Sequence, residues 1–501
     1  MLYGTVLLTA TGLVSQGLGF LYRIALSRLI GAEVMGLYQL IMPVYSVLLS
    51  LTAVGLTSAV STLSSTYHAL DNRKAAGQVL KSCLKAFFLL IAVTAAVVVL
   101  FYDPISVYLL GDARTQLGLL LLLPCIALTG IENLHKHFFY GAGHVRPPAV
   151  TELLEQFIRT GAVLGLLLCF LPQNPERTVG LIVLGMVICE VFSAVTLLLL
   201  YRREKRRGLT GQGERPKTVR RRVVSIAVPI GATALAGNLM GAANSVLIPQ
   251  RLVAGGATAS EAMSAFGVLC GMTLPMLMLP TAFLGALGLM LVPKMAENAA
   301  LGKKEAVKDD LHSAMSATSA ISLPAMALLV VLGPTIGQAL FREQTVGNYI
   351  LPLAVAVALD CYRTVFAASL NGIGKQPTTA RISIFCGAVQ LLFTFGTVKT
   401  WGLAGYAAGF VVSDLIGALL TGRAFCKAAG VKLRLFQWVA APGLSSLLMG
   451  LVVNLLFHIL PQYGLTAGQS TALCIPFGVV LYLAAMSAQG CLPFRKRRSK
   501  E

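Results

Sequence analysis

Charged residues are scarce in this chain of 501 residues. Only 12% are Asp, Glu, Lys or Arg, whereas a soluble globular chain carries about 25%. Hydrophobic residues make up 56% of the chain, and its mean hydropathy is +0.78. This balance excludes a soluble globular protein and predicts an all-α polytopic membrane protein.

Sequence motifs for catalysis and metal binding are also missing. The ten cysteines are scattered, without a CxxC pair or a Cys/His cluster, and most lie in apolar segments, which predicts buried, reduced thiols. No Walker A sequence and no soluble catalytic domain is found. We therefore predict a protein that is not an enzyme, with no catalytic residues, no metal and no cofactor.

Acidic residues are half as frequent as basic ones, at 20 against 40, which gives a net charge of +20. The basic residues occupy short loops between apolar segments, so we expect them to orient the chain and to favour anionic membrane lipids rather than nucleic acid. The longest polar run, residues 202–222, holds ten Lys or Arg and two acidic residues. It predicts a cytoplasmic linker, because Lys and Arg collect on the cytoplasmic side of membrane spans.

A spanning helix needs about 20 mostly apolar residues, and the sequence predicts about 14 of them. Their approximate bounds are 4–27, 37–65, 86–109, 115–139, 149–171, 178–201, 223–248, 265–291, 311–334, 347–370, 381–398, 402–425, 437–460 and 469–488. With the linker inside, 31 of the 40 basic residues fall on the cytoplasmic side and seven outside. This count predicts a multi-pass membrane protein with both termini inside.

The chain repeats itself at a nearly constant offset. Gly141-Ala-Gly-His-Val-Arg-Pro-Pro-Ala149 matches Gly372-Ile-Gly-Lys-Gln-Pro-Thr-Thr-Ala380, 231 residues later, and Gly36–Pro43 matches Gly267–Pro275 with one slip. Six spans per copy place both copies in the same orientation, a parallel pseudo-repeat typical of transporters that work by alternating access. The predicted parts are a six-helix lobe at 1–201, the linker 202–222, a second six-helix lobe at 223–434, two appended helices at 435–488 and a basic cytoplasmic tail at 489–501.

Ionisable residues inside spans are costly in lipid, so they face a cavity or a partner. Arg23 and Arg28 lie toward the outer end of the first span. Arg23 is the deeper and is a candidate for gripping a phosphate, whereas Arg28 can snorkel to the headgroups. Two interfacial anchors remain the alternative.

Two further spans carry charges at helical spacing. Glu155 and Arg159 are four residues apart and predict an ion pair, and Asp360 and Arg363 are three apart near the centre of the tenth span. Each pair is either an internal salt bridge or a substrate contact. Single acids without a partner that the sequence identifies are candidate proton or cation sites: Glu132, Glu190 and Asp414.

Two other stretches have a plainer interpretation. His135, Lys136 and His137 adjoin a basic loop and are expected to meet the cytoplasmic headgroups. The seventh span carries Asn238 and Asn244 among many small residues, which predicts close helix packing.

The chain also resembles a known family. The run Gly17-Leu-Gly-Phe-Leu-Tyr-Arg-Ile-Ala-Leu-Ser-Arg-Leu-Ile-Gly-Ala-Glu33, then Met35-Gly-Leu-Tyr-Gln-Leu-Ile-Met-Pro-Val-Tyr45, is similar to the opening of the stage V sporulation protein B family. That family belongs to the polysaccharide-transporter branch of the superfamily that also holds multidrug exporters and the lipid II flippase. Asn244-Ser-Val-Leu-Ile-Pro-Gln-Arg-Leu252 fits as well, and the likeness covers essentially the whole chain.

The resemblance implies fourteen helices, two lobes and export of a lipid-linked saccharide across the cytoplasmic membrane of a bacterium. The family's link to spore cortex synthesis suggests that this saccharide is an undecaprenyl-linked peptidoglycan precursor. It implies that Arg23 and Arg28 line an anion-binding cavity. It also implies an acid at position 244, where Asn244 is neutral, which weakens a charge-based cation site there. We expect Na⁺, H⁺ or the membrane potential to drive transport, and membrane lipids and cell-wall synthesis proteins to be further partners. The alternatives are a cation-coupled multidrug antiporter and a non-transporting scaffold for cell-wall or sporulation enzymes.

Overall fold

The computed structural model describes residues 2–206, 210–430 and 436–489, and every regular element in these ranges is helical. The predicted tail lies outside the described residues except for Gln489. The α-helices are α1 (Leu2–Leu49), α2 (Gly55–Ala69), α3 (Arg73–Pro104), α4 (Gln116–Gly141), α5 (Arg146–Phe170), α6 (Pro175–Arg206), α7 (Pro216–Ala254), α8 (Ala259–Phe266), α9 (Leu274–Leu277), α10 (Thr281–Ala300), α11 (Lys304–Phe341), α12 (Ile350–Gly372), α13 (Gln376–Trp401), α14 (Leu403–Ala429), α15 (Ala441–Ile459) and α16 (Ala467–Ala488).

Within the described residues, thirteen helical stretches are long and apolar enough to cross a membrane. The first, Ala10–Ala69, has 60 residues, about three times the length that a bilayer core of about 30 Å requires. Its helix is interrupted at Gly31, where φ is 74° and ψ is 178°, a conformation that glycine adopts without a steric penalty. This stretch therefore supplies two spans, and the predicted helical membrane fold with about fourteen spans is confirmed.

Two interruptions of regular α-helix fall in the second and eighth predicted spans, 37–65 and 265–291. Ser50–Val54 forms a π-helical turn between α1 and α2. The eighth span is interrupted more strongly, by a π-helical segment at Gly267–Thr273 and by the turn that separates α9 from α10. Pro275 and Pro280 lie at this interruption, where the missing amide hydrogen of proline prevents a continuous hydrogen-bond ladder.

The chain divides into two compact units. The first unit is Met1–Gln250 with Thr258–Gly267, and the second unit is Arg251–Ala257 with Val268–Glu501. Residues 223–250, which the repeat assigns to the second lobe, thus pack with the first unit. A Cβ on Gly55 would lie 2.2 Å from the carbonyl oxygen of Ala227, so α2 and α7 touch through their backbones. The lobe boundaries inferred from the repeat stay a prediction about ancestry. Packing places the boundary between the two units further along the chain, after Gln250.

A second close crossing, inside the first unit, joins α1 to α8 and the turn after it. A Cβ on Gly36 would lie 2.1 Å from the carbonyl oxygen of Met263, and a Cβ on Gly267 would lie 2.0 Å from that of Ala32. Positions 32 and 263, and positions 36 and 267, are each separated by the repeat offset of 231. Matched positions of the two copies therefore contact each other reciprocally, which supports the duplication.

The described part of the linker lies against the start of α3. The amide of Lys74 donates to the Thr210 carbonyl at 2.9 Å, and the amide of Glu214 donates to Gln78 Oε1 at 2.8 Å. Asn72 Oδ1 accepts from Gly213 at 3.3 Å and also caps α3 by accepting from the Ala75 amide at 3.1 Å. One asparagine side chain thus links the helix start to the linker.

Candidate functional site

The buried charges of the first unit meet where α4, α5 and α6 pack together. The predicted ion pair of Glu155 and Arg159 is present, one helical turn apart on α5. Arg159 also places Nη2 3.4 Å from Glu190 Oε1 and donates from Nε to Cys189 Sγ at 3.4 Å. The second oxygen of Glu155 accepts from Ser193 at 3.2 Å. Arg159 therefore contacts one acid on its own helix, α5, and one on α6. For Glu190 this is a partner on another helix that the sequence did not identify.

Lys136 extends this cluster. Its Nζ lies 3.5 Å from Glu132 Oε1 and 3.2 Å from Glu152 Oε2, and its side chain is only 15% exposed. The expectation that His135 and Lys136 meet lipid headgroups is wrong, since His135 is also buried, with Nδ1 2.7 Å from the Ile131 carbonyl oxygen. The helical period places these side chains on the buried face of α4 with Glu132, although they adjoin a basic loop in the chain.

The charges of the second unit form a smaller group between α12 and α14. The predicted pair of Asp360 and Arg363 is present. Arg363 also places Nε 2.9 Å from Oδ1 of Asp414, a residue that is 3% exposed. A Cβ on Gly417 would lie 2.4 Å from Arg363 Cδ, so this glycine leaves the room that the arginine side chain occupies.

The two groups share a local sequence pattern that our sequence reading missed. Gly185-Met-Val-Ile-Cys-Glu190 on α6 matches Gly409-Phe-Val-Val-Ser-Asp414 on α14, with glycine first and an acid last, 224 residues apart. The packing matches too, because a Cβ on either glycine would lie 2.5 Å from the preceding helix, at Val163 and Phe393 respectively. Glu190 and Asp414 thus occupy corresponding positions in the two copies of the repeat.

The arginines of the first span differ in burial. Arg23 is half-buried on α1, whereas Arg28 is exposed. Tyr38 on the same helix lies within electrostatic range of both Arg23 and Arg159. Asn244 on α7 is half-buried. The roles of Arg23, Arg28, Asp360 and Arg363 in binding substrate, and of Asn244 in coupling, stay predictions.

One group of side chains in the described residues has the spacing of metal ligands. Oxygen and sulfur atoms of Glu155, Cys189 and Glu190 lie within 4.8 Å of one another. Arg159 contacts all three of these residues, so a guanidinium ion already supplies the positive charge that a metal would bring. These residues fit an arginine-centred charge cluster better than a metal site.

The chain thus has helices long enough to span a membrane, and buried acids on these helices contact basic residues of the same unit. These features define a multi-pass helical membrane protein. Comparison with known proteins places the chain more narrowly. A family model described as polysaccharide biosynthesis protein matches residues 1–299, and the chain belongs to that family.

Curated relatives are similar over most of their length. The chain is 24% identical to stage V sporulation protein B of Bacillus subtilis over 443 residues, 87% of this chain and 86% of that protein. It is 24% identical to the lipid II flippase MurJ of Bacillus subtilis over 454 residues, 84% of this chain and 82% of that protein. The second of these relatives is named as a flippase, which is a membrane transport protein.

Solved structures share the fold. A lipid II flippase MurJ in an inward closed conformation superposes with a TM-score of 0.68 at 13% identity, covering 97% of this chain and 98% of that chain. An inward-facing multidrug resistance transporter of the MATE family superposes with a TM-score of 0.67 at 14% identity, covering 83% of this chain and 96% of that chain.

Proposed function

We propose that this protein is a flippase that moves a lipid-linked saccharide across the cytoplasmic membrane by alternating access. The saccharide we favour is an undecaprenyl-linked peptidoglycan precursor of the kind used for spore cortex. The observation that carries the proposal is coverage. The flippase fold accounts for 97% of this chain, whereas the multidrug transporter fold accounts for 83%, a difference that corresponds to two spans with their loops.

The buried acids point in the same direction. A multidrug antiporter of this fold would need acidic side chains that are available to a cationic drug. Glu190 and Asp414 instead contact arginines of their own unit, and Glu132 contacts a lysine. A diphosphate, in contrast, suits guanidinium groups, which bind phosphate oxygens through paired hydrogen bonds.

In this mechanism Arg23 holds the diphosphate while the two lobes rock, and the isoprenoid tail stays in the bilayer. Arg28 would meet the headgroup region at the outer end of the same helix. The substrate is amphiphilic, so only its polar head has to cross the hydrocarbon core.

The test uses the purified full-length protein in liposomes with fluorescent lipid II and an impermeant quencher. We expect wild type to raise the rate of leaflet exchange, Arg23→Ala to lower that rate by at least tenfold, and Arg177→Ala to leave it unchanged. Arg177 is an exposed arginine at the start of α6 and serves as the matched control.

Full exchange by Arg23→Ala would remove the role of the arginine. No exchange by folded wild type would remove lipid II as substrate, and two further arms then decide between classes. Another undecaprenyl diphosphate saccharide in place of lipid II tests the same function, and efflux of a cationic dye tests the multidrug alternative.

A further inference from the structure

Three buried carboxyl groups of the first unit come together without enough positive charge. Glu132 of α4, Glu155 of α5 and Glu190 of α6 are 3%, 8% and 2% exposed. Oxygen atoms of Glu155 and Glu190 lie, together with Cys189 Sγ, within 4.8 Å of one another, and Glu132 on the adjoining helix α4 interacts electrostatically with both acids. Two ionised carboxylates offer only acceptors, so a hydrogen bond between them requires a proton on one.

The charge count leads to the same requirement. In the part of the chain that the structure describes, the cations that contact these acids are Lys136 and Arg159. Lys136 also contacts Glu152, whose side chain is 41% exposed. Three buried negative charges against two positive ones leave one negative charge uncompensated. Such a charge is costly at membrane depth, so a protein removes it by binding a proton or a cation.

One oxygen marks where the proton belongs. Oε2 of Glu190 is buried and has no hydrogen-bond donor among the described residues. Thr129 also lies within reach of Glu190, but its hydroxyl donates to the Cys125 carbonyl at 2.9 Å and accepts from Tyr45 at 3.1 Å. The carboxyl of Glu132 is the neighbour left to supply the missing O–H.

Among the described residues, the other groups around the pair do not supply a third cation. From the elements packed against Glu132 and Glu190, the other titratable side chains in reach are Tyr45, Cys125, Cys189 and, beside Lys136, Tyr140. A metal ion would compete with Arg159, which contacts Glu155, Cys189 and Glu190.

We propose that Glu132 and Glu190 share one bound proton and that this pair is the site of the coupling ion for transport. The shared proton is inferred from the geometry of the first unit, and the coupling role rests on the proposed function. Binding turns one carboxylate into a carboxylic acid that donates to its neighbour, and release restores a net negative charge in a buried place. Proton exchange therefore favours a conformation in which α4 and α6 admit water to the pair.

The first experiment reads the proton directly. Infrared difference spectra of the wild-type protein in liposomes, recorded through an alkaline titration, should show the carbonyl stretch of a protonated carboxyl that disappears as the pH rises. Glu132→Gln and Glu190→Gln should each remove this band. Glu297→Gln, which alters an exposed acid on α10, should retain it. A band that survives both cluster variants, or that wild type lacks, overturns the shared proton.

The second experiment reads coupling in the lipid II exchange assay. An imposed proton gradient should accelerate exchange several-fold in wild type, an equal sodium gradient should not, and the ratio with and without the proton gradient should fall to one in Glu190→Gln. A ratio unchanged in Glu190→Gln, or acceleration by sodium alone, overturns the coupling role. If the infrared band behaves as expected while no saccharide lipid moves, the proton site stands and the proposed function fails.

Discussion

The crossing of α1 with α8 predicts an unusual response to adding one methyl group. In Gly267→Ala the new Cβ would lie 2.0 Å from the Ala32 carbonyl oxygen and 2.7 Å from the Gly36 amide nitrogen. Both are backbone atoms, so no side chain can rotate away. The backbones must separate by about 1 Å to restore an ordinary contact, and overpacking of this kind costs about 1–3 kcal/mol.

A matched substitution isolates this cost. Gly161 lies within α5 of the same unit, and a Cβ there would meet nothing within 4 Å. Replacing an unobstructed helical glycine by alanine stabilises a helix by about 1 kcal/mol. Gly161→Ala should therefore raise the free energy of unfolding, while Gly267→Ala should lower it by up to about 2 kcal/mol after the same helix gain is subtracted from the overpacking cost.

The assay is reversible unfolding in mixed micelles, followed by helix content. Gly36→Ala should cost as much as Gly267→Ala, because its Cβ meets Met263 O at 2.1 Å. The double variant should cost less than the sum, since the first methyl group already separates the helices. Equal stabilisation by Gly267→Ala and Gly161→Ala, or strict additivity of the two crossing variants, would refute the reasoning.

Two more predictions concern other contacts. Arg363→Met leaves Asp360 and Asp414 without their cation and should lower the free energy of unfolding by about 3–5 kcal/mol. Asp414→Asn keeps Arg363 paired with Asp360 and should lower it by about 1–3 kcal/mol. Unfolding in mixed micelles measures both, and the opposite order of the two costs would contradict the shared pairing. Asn72→Ala removes the side-chain cap of α3 and its hydrogen bond to the Gly213 amide, so it should lower the free energy of unfolding by about 1 kcal/mol and speed tryptic cleavage within residues 210–222. Asn174→Ala changes an exposed asparagine outside the linker and should leave this cleavage at the wild-type rate. Equal cleavage of the two variants would contradict the linker contact.

The sequence predicted the spans and two of the ion pairs that lie within one helix. Glu155 with Arg159 and Asp360 with Arg363 follow from the helical period alone. The contacts of Glu190 with Arg159 and of Asp414 with Arg363 join different helices, so they depend on packing that a single sequence does not reveal.

Two features were within reach of the sequence and were not used. Glu132 and Lys136 are four residues apart, the same spacing that identified the pair on α5, but the basic loop nearby favoured a headgroup interpretation. The matched glycine-to-acid runs that end at Glu190 and Asp414 would have shown these acids to be equivalent. The later boundary of the first unit could not be predicted, since the repeat records ancestry and α7 packs against α2 through Gly55 and Ala227.

The reciprocal crossing of α1 and α8 also bears on how such a chain arose. Position 32 meets 267 and position 36 meets 263, and each contact becomes the other when the two sequence copies are exchanged. This is the form of an isologous interface, in which one surface patch is its own partner in a two-fold dimer. A single six-helix polypeptide could make the same contact with a second copy of itself, because an even number of crossings gives both copies the same orientation. Fusion of two such copies would allow the halves to diverge, and here one half has six ionisable residues grouped around Arg159 and Lys136, while the other has three grouped around Arg363.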